Sequence, residues 1–434
     1  MNNLETYQKV DSYWYDRVPS YWKKTKNKYV FCQDKHVVGE DWEKFTLLTM
    51  GKSGVKPRDM DGGGKFPASF ETYQTVEPNQ LVFCLFDLDE TPRTIGMSKD
   101  YGMITSAYDV FTTTEGNDPQ FWTYFYQMID DHKGLRPFYT GLRKVVRSDT
   151  FMGIEVFSPP LEEQKLISRY LDKKTKQIDC LVEKIQEKIE LLKEQRTSLI
   201  NKCVTKGLDP NVEMKDSGVE WIGEIPKPWK TLRLCNFGLF SKGKNITKGD
   251  LVELGKPVIL YSHLYTTYSR LVEEPKFFIS DDFELNSTKI YKNTFLFTSS
   301  GESKEDIGKC ILYVGDETSV GGDQVIFKLK STCNFDPEFL SFSFNSDFCV
   351  NQKSSNSRGE IVVHIYEKQL RDVVIPIPPE NEQIVIRRKL RKIEKNSDEI
   401  IRNLEHKREL LKEYRQSLIS SAVTGKIRIT EDMI

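Results

Sequence analysis

Pro159-Pro160-Leu161-Glu162-Glu163-Gln164 begins a long charged stretch that runs to about Thr205, and Pro378-Pro379-Glu380-Asn381-Glu382-Gln383 begins another that runs to about Thr424. A shift of 219 positions lays the first on the second without a gap, and 22 of the 47 positions from 159 to 205 are then identical. Agreement is densest at the two ends, where Glu190-Leu191-Leu192-Lys193-Glu194 meets Glu409-Leu410-Leu411-Lys412-Glu413. Such a repeat means that one unit was made twice, and a tandem duplication can imitate a two-fold dimer within a single polypeptide.

A second, shorter repeat precedes each copy. Val18-Pro19-Ser20-Tyr21-Trp22-Lys23 is echoed by Ile225-Pro226-Lys227-Pro228-Trp229-Lys230 at an offset of 207. Asp11-Ser12 matches Asp216-Ser217 at an offset of 205, which implies two residues gained or lost in between. Each copy therefore reads as a Trp/Pro lead-in, a mixed segment, a Pro-Pro and a long helix. The boundaries expected are 1–157 and 209–376 for two globular domains, and 158–208 and 377–434 for the two helical segments with the C-terminal tail.

The helical stretches carry an apolar seam. Ile178, Ile185, Leu192 and Leu199 recur every seven residues with Leu181, and Val182 and Ile189 widen the stripe. Leu404, Leu411 and Leu418 do the same in the second copy, with Ile400, Ile401 and Tyr414. Sevenfold spacing flanked by Glu and Lys predicts coiled-coil packing. Pro suits the first helical turn, and Glu162 and Glu163 suit its positive end. About 45 residues at ~1.5 Å each make a rod of roughly 70 Å. Two amphipathic rods most simply bury their stripes on each other, and tandem order favours an antiparallel pair with pseudo-two-fold symmetry.

The segments 23–157 and 230–376 lack helical periodicity over long windows. Short strand-like runs stand out at Gln80–Phe86, Tyr108–Phe111, Pro257–Tyr261, Thr294–Phe297 and Gln324–Phe327, with helical pieces at Pro119–Tyr124 and Pro337–Leu340. The fold class expected is α+β: two tandem mixed domains, each followed by a long helix.

Composition narrows the function. A chain of 434 residues with 38% hydrophobic content can build two cores. The net charge of −1 shows no overall nucleic-acid signature, although a basic face can be balanced by acidic helices elsewhere. Eight scattered Cys without a C-x-x-C pair read as reduced thiols of a cytoplasmic protein. No secretory signal and no membrane-spanning run is expected, hence no membrane partner.

Catalytic motifs fail when tested. Ser158-Pro159-Pro160-Leu161 resembles the Asn/Asp/Ser-Pro-Pro-aromatic tetrapeptide of amino-methyltransferases, but Leu stands where an aromatic must stack on a flipped base. Its counterpart is Ile377-Pro378-Pro379-Glu380, so helix initiation explains both copies better. Gly51-Lys52-Ser53 lacks the upstream Gly of a P-loop, the five His have no ligand spacing, and no G-x-S-x-G elbow occurs. The chain is expected to be no enzyme, with no catalytic residue, no metal and no cofactor of its own.

The repeated pieces together carry a family resemblance. Asp216-Ser217-Gly218-Val219-Glu220-Trp221-Ile222-Gly223-Glu224-Ile225-Pro226, both Pro-Pro-x-x-Glu-Gln helices and the closing Ser417-Leu418-Ile419 … Ala422-Val423-Thr424-Gly425-Lys426-Ile427 resemble the specificity (S) subunit of Type I restriction–modification systems. Gly102–Tyr108 and Ile365-Tyr366 … Leu370 resemble further family segments. The first copy departs from the pattern, with Tyr13, Tyr15 and Asp16 in place of the usual types. The resemblance implies two target recognition domains that read an asymmetric bipartite site in double-stranded DNA, and helical spacers that dock two methyltransferase subunits. Restriction/helicase subunits would join the full complex, and S-adenosylmethionine and ATP/Mg would belong to the partner subunits alone. Half-sites about 34 Å apart lie within reach of such a rod. The alternatives are a coiled-coil scaffold that binds only protein, or an enzyme that carries its own specificity.

Candidate DNA contacts come from loops rich in Gly, Lys, Ser and Asn, which suit phosphates and base edges. In the first half they are Lys52, Lys56, Arg58, Lys65, Arg93, Arg143, Lys144 and Arg147. In the second they are Lys242, Lys244, His263, Tyr265, Ser299, Lys304, Gln352, Lys353, Asn356 and Arg358. Spacer and partner-docking candidates are Pro159, Pro160, Glu163, Gln164, Ile185, Leu192 and Leu199, with Pro378, Pro379, Glu382, Gln383, Leu404, Leu411 and Leu418 in the second copy. The outer helix faces around Lys173, Lys174, Glu183, Lys184, Glu187, Lys392, Glu394 and Lys395 offer further docking surface.

Overall fold

A computed structural model describes residues 6–51, 54–59, 69–244, 246–304, 306–359 and 363–434. It divides into two compact units, one of residues 1–186 with 406–434 and one of residues 187–405. Each unit thus holds one mixed domain, the start of one long helix and the end of the other.

Both units open with the same small hairpin. Tyr7–Lys9 pairs antiparallel with Arg17–Pro19, and Met214–Asp216 pairs with Glu224–Pro226. Tyr7 faces Pro19 and Met214 faces Pro226, so one offset of 207 relates both strands and the loops between them are equally long. This corrects the match of Asp11-Ser12 to Asp216-Ser217: Lys9 holds the place of Asp216, and nothing was inserted. Strand register decides the equivalence because a shift by one residue would turn every side chain to the other face.

A second pair closes each domain. Lys23–Lys26 runs against Glu155–Ser158, and Lys230–Arg233 against Val374–Ile377. The Pro-Pro that follows has no N–H to extend the ladder, and the helices Leu161–Lys206 and Glu380–Val423 begin there, each with two Glu in its first turn.

Between these shared elements the domains differ. The first holds an antiparallel sheet ordered Phe31–Gln33, Asp109–Thr113, Leu81–Phe83, Ile95–Met97. The helix Pro119–Asp131 buries Phe121, Trp122, Phe125 and Tyr126 in one core with Phe31, Phe83, Phe111 and Phe151. The second domain has two five-stranded sheets, one built on Thr294–Thr298 and Gln324–Leu329 and one on Lys256–Ile259 and Glu317–Val320. Its core gathers Phe295, Phe297, Phe327, Phe339 and Phe344.

Helix segments run antiparallel within each unit. In the first, Arg415 Nε donates to Asp179 at 2.9 Å and Arg408 donates to Gln186, so numbering rises on one helix as it falls on the other. In the second, Arg196 reaches Asp398 at 2.5 Å. Shifting Asp179 and Arg196 by 219 gives Asp398 and Arg415, so the two ion pairs are copies of each other. The buried seam is narrower than expected. Ile178, Ile185, Ile189, Ile401 and Leu418 are buried, whereas Leu181, Leu199, Ile400 and Tyr414 are 40–55% exposed. At about 100° per residue, Leu181 and Leu199 sit about 60° off the line through Ile178, Ile185 and Ile189 and fall on its rim.

Each domain is also locked sideways to the helix that follows it, by different chemistry. In the first, Tyr124 and Gln120 donate to Asp172 at 2.7 and 2.9 Å, and Tyr124 also meets Thr175 at 3.2 Å. The matching positions in the second are Phe342, Glu338, Arg391 and Glu394. There Arg391 Nε reaches Glu338 at 2.7 Å, and Arg270 bridges Glu338 at 3.2 Å and Glu394 at 2.9 Å with its guanidinium 3.6 Å over Phe342. Burial alone would raise the Glu338 carboxyl, but hydrogen bonds and charge from Arg391 and Arg270 outweigh it and hold it below its ordinary value. Glu394, expected on an open docking face, is committed to this lock.

Candidate nucleic-acid interface

The repeated motif explains how each domain is held. Gln164 is buried, donates to Pro159 O at 2.8 Å and accepts from Asp118 N at 2.9 Å. Asp118 in turn caps the helix Pro119–Asp131 by accepting from Phe121 N at 2.8 Å. Gln383 repeats this, donating to Pro378 O at 2.9 Å and accepting from Asp336 N at 2.9 Å, and Asp336 caps Pro337–Phe344. Glu163 accepts from Trp22 Nε1 at 3.3 Å, and Glu382 from Trp229 Nε1 at 2.9 Å.

The far ends of the helices complete the same sockets. Gly207, at φ +72°, lies against Trp229 and Glu382, and Gly425, at φ +68°, lies against Pro19 and Trp22. Left-handed backbone at a helix C-terminus favours Gly, and a Cβ on Gly425 would come within 2.5 Å of Pro19.

A pair of loops recurs on this frame. An antiparallel bridge Thr140–Val145 precedes the helix Ser148–Gly153, and a bridge Arg358–His364 precedes the helix Glu367–Arg371. Val145 and His364 differ by 219, so the bridges are equivalent. The first loop is braced: Asp89 accepts from Lys144 Nζ at 2.6 Å and from Arg136 Nε and Tyr139 OH at 3.2 Å. The Lys144 hydrogen bond first, and the Arg136 charge, hold the Asp89 carboxyl down at about 2. Both loops carry predicted DNA residues, Arg143 and Lys144 in the first and Arg358 in the second, which composition and the family resemblance single out.

The remaining predicted residues separate into two groups. Lys56, Arg143, Arg147, Lys242, Lys244, Lys304, Asn356 and Arg358 are exposed. Lys242 lies 5.7 Å from the Tyr366 ring centre. Arg58 and Ser299 are half-buried. Tyr265 OH has Thr298 Oγ1 at 2.7 Å and Ser300 O at 2.9 Å as acceptors. Lys52 and Lys65 lie outside the described residues.

Four others are committed to the fold, which corrects their reading as open contacts. Gln352 is buried, donating to Val374 O and accepting from Val374 N, both at 2.9 Å. Lys353 is buried, with Nζ on Gly308 O at 2.6 Å and Phe344 O at 2.9 Å. His263 stacks 3.6 Å from Phe277 and accepts from Leu260 N at Nδ1, and burial pushes its pKa down to about 4. Arg93 is tied to Asp131 at 2.8 Å and Asp130 at 3.4 Å. A sequence that places Lys or Gln in a polar run does not reveal that tertiary packing will turn it inward.

Lys23, Lys26 and Lys28 are also exposed beside the closing strand pair, and with the brace Asp89 they join the site only in the structure. The run Lys23-Lys24-Thr25-Lys26-Asn27-Lys28 was the available signal for the first; nothing local marks Asp89. Among the described residues no three His, Cys, Asp or Glu come together to hold a metal, and no helix is long and apolar enough to cross a membrane.

The chain is a duplicated α+β frame that carries unlike sheets in its two halves, and known proteins share it. Residues 226–409 match the family described as Type I restriction modification DNA specificity domain. The chain is 26% identical over 293 residues to the Type I restriction enzyme MjaVIII specificity subunit of Methanocaldococcus jannaschii, covering 64% of this chain and 63% of that one. It is 22% identical over 292 residues to the EcoKI specificity subunit of Escherichia coli, covering 65% and 60%. The match thus spans less than two thirds of the length of these curated relatives. The fold resembles a chain solved in a study of complex assembly and conformational transition of the type I R-M system, with TM-score 0.71, 13% identity and coverage of 94% and 99%. It also resembles the HsdS subunit of Thermoanaerobacter tengcongensis, with TM-score 0.53, 14% identity and coverage of 95% and 99%. The chain is thus similar in sequence to Type I specificity subunits and in fold to an HsdS subunit.

Proposed function

We propose that this chain is the non-catalytic DNA-recognition subunit of a Type I restriction–modification complex. Residues 1–157 and 209–376 act as target recognition domains, and the helical segments 158–208 and 377–434 act as spacers. The observation that carries this reading is one frame bearing two unlike sheets: the hairpin, closing pair, capped helix and socket are repeated, while the sheets between them are not. Two unlike readers on one scaffold suit an asymmetric site in two parts.

The partners are double-stranded DNA, two methyltransferase subunits docked on the pseudo-symmetric helices, and restriction subunits in the full assembly, in the cytoplasm. S-adenosylmethionine and ATP/Mg act on those partners. The exposed residues Lys56, Arg143, Arg147, Lys242, Lys244, Lys304, Asn356 and Arg358 are the side chains available to phosphates and base edges. Sequencing the methylated bases of a host with and without this gene tests the reading. A bipartite motif should be methylated only when the gene is present, and an unchanged methylome overturns it.

A further inference from the structure

Leu142 stands at the tip of the loop Tyr139–Val145 and is fully exposed. Single exposed apolar side chains are ordinary, but this one is held on a stiff mount. Thr140 and Val145 exchange backbone hydrogen bonds at 2.9 and 3.1 Å, Asp87 N donates to Arg143 O at 3.0 Å, and Val146 N donates to Leu85 O at 2.8 Å. Lys144 takes φ +47° next to Gly141 at φ +70°. A non-Gly residue in that region is strained, and the Lys144–Asp89 ion pair at 2.6 Å helps to hold it there. Lys144 is therefore part of the mount. The side chain of Arg143, beside Leu142, is exposed and makes no hydrogen bond or ion pair among the described residues.

We infer that Leu142 is a wedge that enters duplex DNA between base pairs of the first half-site, with Arg143 on the adjoining phosphate. This inference rests on the recognition reading above. Unstacking a base step is costly, so the inserting side chain must be apolar and its support must not yield. Both conditions are met here, and a flexible loop would fail the second.

The test uses the full-length chain purified with its methyltransferase partners and a random-sequence duplex DNA library. Leu142 is fully exposed, so Leu142→Ser and Leu142→Met leave the core untouched. The wild-type complex should enrich a two-part site. Leu142→Ser should bind that site about tenfold more weakly and lose definition only in the half read by the first domain, whereas Leu142→Met should behave like wild type. With 2-aminopurine placed in that half-site, wild type should raise the fluorescence of the unstacked base and Leu142→Ser should not. Selection and affinity unchanged in Leu142→Ser overturn the wedge, as does equal weakness of the Ser and Met variants. Failure of Leu142→Ser to co-purify with the partners makes the loop a protein contact and overturns it too. If the wild-type complex enriches no site, the recognition reading itself fails and the wedge falls with it.

Discussion

Gln164 and Gln383 show how much one buried amide can organise. Each closes the Pro-Pro turn on one side and fixes the capped helix of its domain on the other. Gln383→Ala should destabilise the second half by about 1–3 kcal/mol, because it leaves Pro378 O and Asp336 N buried without that partner; thermal unfolding of the complex reads the loss. His263 supplies a pH dependence of opposite origin to a salt bridge. Its folded pKa of about 4 lies below the ordinary 6.5, so the unfolded chain binds the proton first as pH falls. The stability it supports is present above about pH 6.5 and declines towards pH 4. His263→Gln keeps an acceptor for Leu260 N and should flatten that decline in a melting series against pH. At this scale the sequence was readable for the Pro, Glu and Gln of the motif, because repetition marks them. It was not readable for Gln352, Lys353 and His263, whose chemistry depends on neighbours far away in sequence.

Helices and their locks obey different energetics. Arg415–Asp179 and Arg196–Asp398 are half-exposed copies of one ion pair, so Arg415→Ala should cost less than about 1 kcal/mol. Arg270 is buried between Glu338 and Glu394, and Arg270→Ala should cost about 3 kcal/mol by leaving Glu394 without its cation and Glu338 with Arg391 alone. Tyr124→Phe in the first lock, which has a carboxylate but no cation, should cost about 1 kcal/mol. Denaturant unfolding of the three variants ranks them, and an Arg270→Ala chain as stable as wild type would remove the ionic lock from the account. The long helices were legible from sevenfold spacing, but their exposed rim at Leu181, Leu199, Ile400 and Tyr414 was not. Spacing gives a stripe, and only the partner surface decides how wide a stripe is covered.

Across the whole molecule, what is repeated is scaffold and what differs is sheet. Replacing residues 23–157 with those of another family member should change one half of the methylated site and leave the other intact; methylome sequencing distinguishes this from a change in both. The duplication made the frame legible from sequence alone. The sheets were only glimpsed, because strands of two to six residues carry little periodic signal, and runs such as Thr294–Phe297 are buried on both faces.

The sockets at Trp22 and Trp229 receive helix ends that finish alike, at Gly425 and Gly207. A gene of half the length, encoding residues 209–434, would make a polypeptide whose helix end has no socket to fill except that of an identical neighbour. Such a product should associate in pairs, as light scattering would report, and a pair of identical readers calls for a palindrome. Fusion of two such genes, followed by divergence of only the middle of each, is a short route from a symmetric target to an asymmetric one.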